Sequence, residues 1–74
     1  MKSKENLRAQ SISAERAGLL SEWKLSRMEY LQANELFNRT VDPLLIDSAI
    51  YRMESAQLRC RYLMDRVRRL ETGS

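Results

Sequence analysis

Seventy-four residues, 43% of them apolar and 31% charged, with net charge +3, two Gly, one Pro, one Cys and no His, leave room for one domain. A chain of this size buries only about 60% of its unfolded surface, so its own core is thin and a partner or self-association is expected to complete it. Strand formers and turn residues are too scarce for a sandwich or barrel, the apolar share is too high for a disordered tail, and no His means that the usual general base near neutral pH is missing.

Residues 1–12 show little pattern beyond Leu7 and Ile12, and are expected to form a flexible or short helical arm. The stretch "MKSKENLRAQS" has no apolar segment that could serve as a signal peptide. No apolar run reaches the roughly 18–20 residues of a membrane span. A cytoplasmic protein without a membrane segment is the expectation.

From Ser13 to about residue 38 there is no Pro and a single Gly, and apolar residues recur at helical spacing. Trp23, Tyr30 and Phe37 stand seven apart on one ridge, which is placed at the inner face; Leu19, Ser26 and Ala33 run beside it, and Leu20 and Leu31 lie on its other flank. Glu15, Glu22, Glu29 and Glu35 fall away from its centre, and Glu35 can pair with Arg39 four residues on. Leu25, Met28 and Leu36 are assigned to the outer side.

The turn is strongly specified. Asp42 before Pro43 reads as N-cap and first helical residue, since an Asp carboxylate accepts orphan helix N–H groups and Pro has no N–H to lose there. Val41 and Ile46 occupy the two positions of a hydrophobic staple, and Asp47 suits the positive end of the helix dipole. A helix over 43–70 follows, with Ile46, Met53, Cys60 and Val67 on one ridge, Ala49, Ala56, Leu63 and Leu70 on the next, and Ile50 and Met64 flanking. Residues 72–74 are expected to fray.

So short a connection forces two long helices antiparallel. The predicted fold is all-α: a two-helix hairpin over residues 13–71, helices about 13–38 and 43–70, able to dimerise into a four-helix bundle. Phe37 should meet Ile46 and Ala49, Tyr30 should meet Met53 and Ala56, and Trp23 should meet Cys60 and Leu63.

The stretch "FNRTVDPLLIDSAIYRMESAQLRCRYLMDRVR" resembles the signature of the YaaL-like family of short Firmicutes proteins. The likeness runs through Phe37, Asn38, Asp42, Pro43, Leu45, Ile46 and Asp47. It continues in Ala49, Ile50, Tyr51, Met53, Glu54, Ala56, Tyr62 and Leu63. It covers roughly residues 20–68 and implies a cytoplasmic helical hairpin, with no catalytic residue to carry over. The arginine-dense end departs from many relatives.

Two surfaces could carry function. Leu44, Tyr51, Leu58 and Tyr62 fall within a narrow arc opposite the core ridge of the second helix, bordered by Arg52, Arg59 and Arg66 at spacings of seven. An aligned apolar stripe edged by Arg has the composition of a protein contact. Partner-binding residues are therefore assigned as Tyr51, Leu58, Tyr62, Arg52 and Arg59. A second copy is the economical occupant, and an unidentified protein is the other.

The alternative is a nucleic-acid accessory role for the basic end, through Arg61, Arg66, Arg68 and Arg69, with Lys2, Lys4 and Arg8 brought to the same pole. Arginines late in a helix also suit its negative dipole end, which accounts for them without a ligand. No paired carboxylates, glycine-rich phosphate loop or spaced metal ligands are present, and Cys60 has no His partner. A non-enzyme with no cofactor, metal or small-molecule substrate is the reading.

Overall fold

The computed structural model describes residues 4–73, in which two α-helices are the whole of the regular structure: α1, Lys4–Arg39, and α2, Pro43–Thr72. They pack against each other as an antiparallel hairpin. The molecule is a ribbon 62 Å long, 20 Å wide and 12 Å thick. Since one helix with its side chains is about 10–12 Å across, this ribbon is two helices wide and one helix deep. It has two broad faces and two narrow outer edges.

α1 starts at Lys4, nine residues before the expected boundary, so within the described residues the predicted arm is a continuation of α1. No Gly or Pro interrupts residues 4–12, and extending an existing helix is far easier than nucleating one. Residues 6–18 are exposed. Residues 1–3 of the predicted arm, and Ser74, lie outside the described residues.

The turn forms largely as its sequence dictates. The Asp42 carboxylate accepts from the Leu44 amide at 2.9 Å, Pro43 follows, and the Ile46 amide donates to the Asp42 carbonyl at 2.9 Å. The expected staple does not form: Val41 is 93% exposed. The Asp42 amide donates to Thr40 Oγ1, which tightens the turn and leaves Val41 at its tip. At the other end α2 runs past residue 70, and Gly73 stops it in the left-handed region at φ 71°, where its amide donates to the Leu70 carbonyl at 3.3 Å. Glycine meets no Cβ penalty there. Thr72 and Gly73, expected to fray, thus belong to the helix end and its cap.

The core is displaced from the predicted ridge by one row on each helix. Leu19, Ser26 and Ala33 are the buried residues of α1, and Ala49, Ala56, Leu63 and Val67 those of α2. Trp23 and Tyr30 are only half-buried, Phe37 is 39% exposed, and Ile46, Met53 and Cys60 are half-buried. Two rows of small residues at heptad spacing explain the shift, because Ser and Ala let helix backbones approach more closely than aromatic side chains would. Towards the open end of the hairpin the filling changes to a Leu19, Leu63 and Val67 cluster, covered by Leu20, Trp23, Met64 and Leu70.

Trp23 packs on the Leu19, Leu63 and Val67 cluster and lines a recess with Cys60, in keeping with the register the turn imposes. Leu31, expected as a core flank, is exposed, whereas Leu36, expected on the outer side, is half-buried. Glu35 and Arg39 form no ion pair.

Candidate interaction site

Because the ribbon is one helix deep, its surfaces can be compared directly. The first broad face is ionic. Glu15, Glu22 and Glu29 recur every seven residues on α1, and Arg52, Arg59 and Arg66 do the same on α2. The antiparallel register sets the two rows opposite each other. Arg59 Nη1 reaches Glu29 Oε2 at 2.8 Å, and Arg66 Nη2 reaches Glu15 Oε1 at 3.2 Å. Both pairs are about half exposed, where a pair contributes roughly 0.2–1 kcal/mol. By their position they favour one rotation of the two helices about their own axes.

Arg66 is also tied to the apolar stripe. Its Nη1 donates to the Tyr62 hydroxyl at 3.1 Å, and its guanidinium carbon lies 5.9 Å from the Tyr62 ring centroid. The Tyr62 hydroxyl, and after it Glu15, raise the Arg66 guanidinium above its ordinary value, so this cation stays charged at any working pH.

The outer edge of α2 carries the residues assigned to partner binding. Leu44 is 79% exposed, Tyr51 73%, Leu58 63% and Tyr62 58%. All four lie away from α1, as their spacing implies. Of the bordering arginines, Arg59 is engaged with Glu29, and Arg52 makes no ion pair among the described residues. Arg52, Tyr51 and Ser55 line a shallow recess with Glu29, Gln32 and Arg59. On α1, Leu25 and Met28 are exposed as predicted.

The basic end is partly neutralised from within. Arg69 pairs with Asp65 one turn back at 2.9 Å, and Glu71 receives Arg16 of α1 at 2.9 Å. With Arg66 held by Glu15, only Arg61 and Arg68 of the four arginines assigned to nucleic acid are without an ion pair among the described residues. Lys2 lies outside the described residues, and of Lys4 only the backbone is described. With the exposed Arg8, three of the cations assigned to this pole have no ion pair among the described residues, where continuous phosphate tracking needs a row.

The second broad face is aromatic at its centre and charged at its margins. Trp23, Tyr30 and Phe37 border it on α1, and Ile46, Met53, Cys60 and Met64 on α2. A groove runs between them, lined at one point by Trp23, Cys60 and Met64 and at the next by Tyr30, Gln57 and Cys60. Arg27, Arg61, Asp65 and Arg68 stand at its rim. Cys60 is a free, half-buried thiol. Sequence reasoning placed Trp23, Tyr30, Phe37, Ile46, Met53 and Cys60 on the core ridges, with Met64 flanking, and so missed them as a surface. The signal was present in the Ser26–Ala33 and Ala49–Ala56 rows, which mark the line of closest approach, and in the Glu and Arg rows, which mark the opposite face.

Neither helix is long and apolar enough to cross a membrane among the described residues. No family model, no curated protein and no solved structure matches this chain.

Proposed function

We propose that the protein is a small, cytoplasmic, non-enzymatic protein–protein interaction module that self-associates to complete a four-helix bundle. The observation that carries this is the surplus of surface. The accessible area is 6108 Å², about 1,400 Å² more than the area scaling gives for a compact monomer of 8.7 kDa. Helical domains bury each apolar stripe against another layer, and this chain has only one layer. A second copy supplies the missing layer with the same stripe it needs covered, which is how a two-fold dimer satisfies both partners at once.

Membership of the YaaL-like family belongs to the same proposal, and it adds the hairpin and no chemistry. Within the module, Tyr51, Leu58 and Tyr62, with Arg52 and Arg59 beside them, form the surface offered to a further protein. Tyrosine and arginine supply large contact area together with hydrogen-bonding capacity, the composition that recurs at the energetic centres of interfaces. The nucleic-acid alternative is the weaker one, because Arg66 and Arg69 already have intramolecular partners.

Small-angle X-ray scattering over a concentration series tests the module directly. The expected particle has twice the chain mass and a cross-section about two helices deep. Scattering from an 8.7 kDa rod one helix deep at every concentration would remove self-association from the proposal.

A further inference from the structure

The bundle can be completed through either broad face, and the two are not equivalent. On the ionic face the polar groups of α1 and α2 already satisfy each other across the seam, through Glu29 with Arg59 and Glu15 with Arg66. Stacking a second ribbon there would strip water from four charged side chains and leave their remaining hydrogen-bonding capacity unmet, a cost that ion pairing commonly fails to offset. On the other face Trp23, Tyr30, Phe37, Cys60 and Met64 are each only partly covered, and completing their burial is favourable, while the charged Arg27, Arg61, Asp65 and Arg68 stand at its margins.

Resting on the self-association proposed above, we infer that the second copy docks on the aromatic and thioether face, leaving the ionic face and the tyrosine edge of α2 outside the bundle. The dimensions agree. A broad side measures 62 by 20 Å, so partial overlap of two ribbons can reach the roughly 800 Å² per partner of a standard specific interface. The face is also thioether-rich, with Met53 and Met64 beside Cys60. Methionine adapts its shape to an opposing surface and makes favourable contacts with aromatic rings.

The rim fits a second copy as well. Arg27, Arg61 and Arg68 line the edges of the groove. Their long stems can lie against apolar surface while their charged heads stay in water. Ile50 extends the face outwards, since it shares a heptad row with Gln57 and Met64. Ile50 and Phe37 are 38% and 39% exposed in the single hairpin, so each keeps apolar surface for a stacked pair to bury.

The single tryptophan makes the inference measurable without any variant. Across the concentration range in which the wild-type chain associates, Trp23 emission should shift to shorter wavelength and acrylamide quenching should fall at least two-fold. Phe37→Glu combined with Ile50→Glu should weaken association at least about 100-fold while preserving the helical circular dichroism of the monomer. Tyr51→Ser combined with Tyr62→Ser should leave association within a few-fold of wild type.

Association with Trp23 unchanged would overturn this docking face and leave the self-association reading standing. The same follows if the tyrosine pair, and not the Phe37 and Ile50 pair, breaks the dimer. A chain that stays monomeric with Trp23 accessible throughout would overturn both. Capture of an acidic amphipathic helix or of single-stranded nucleic acid by such a monomer would then identify the face as a site for another molecule.

Discussion

The two broad faces of the hairpin are built from the same two helices at the same register, yet they solve opposite problems. The ionic face is closed by complementarity within the chain, with heptad rows of Glu and Arg that find each other when the hairpin folds. The aromatic face has one such pair among the described residues, Arg16 with Glu71 at its open end, and along the rest of it both helices bring apolar side chains. What separates them is the line of small residues between. Ser26 and Ala33 against Ala49 and Ala56 let the backbones close together, so the bulky side chains on one side have no space to turn inward. A sequence therefore chooses its exposed face partly by deciding where it puts nothing large.

The largest effect is expected at the open end of the seam. Leu63 is 2% exposed and belongs to the Leu19 and Val67 cluster. Leu63→Ala should cost about 2–5 kcal/mol, most of the stability a domain this small is expected to have. Urea denaturation followed by helical circular dichroism, at fixed protein concentration because association adds to stability, measures it. Overpacking the seam comes next. Ala56→Leu should destabilise by about 1–3 kcal/mol and force the helices apart. If it were neutral, the helices would not be in close contact at Ala56.

Both faces depend on the register that the turn sets. Asp42→Ala removes the carboxylate that accepts from the Leu44 amide, and should cost about 1 kcal/mol by the same denaturation measurement. The smallest effect is expected on the ionic face. Arg59→Glu should cost on the order of 0.5 kcal/mol at low salt, less at high salt, and be largely restored by adding Glu29→Arg. A double-mutant cycle reads the coupling, and one with no coupling at low salt would deny that this pair orients the helices.

The sequence made the hairpin legible to different depths in different places. Asp42 and Pro43 carry their structural role in their own chemistry, so the start of α2 could be placed to the residue. Antiparallel pairing and its register followed from a short connection. The centre of the seam did not follow, because apolar residues occupy adjacent rows on each helix and periodicity alone does not say which row is innermost. That choice was made by closest approach of backbones and by pairing across the far face, both properties of two helices together.

Residues 4–12 show a related limit, since helix continuation needs no apolar pattern and so left none to find. The stripe of Leu44, Tyr51, Leu58 and Tyr62 was fully legible, as it lies opposite the core on a single helix. The aromatic face was not, because its members look like core until the small-residue seam is recognised.

Sedimentation equilibrium of the full chain at two ionic strengths tests most directly the central claim, that an apolar face joins two copies while the charged face stays outside. A dimer is expected whose dissociation constant changes by no more than a few-fold between about 0.05 and 0.5 M salt, since exposed charges are screened over that range and buried apolar area is not. A dimer that dissociates as salt rises, or a chain that remains monomeric at both salt levels, would contradict it.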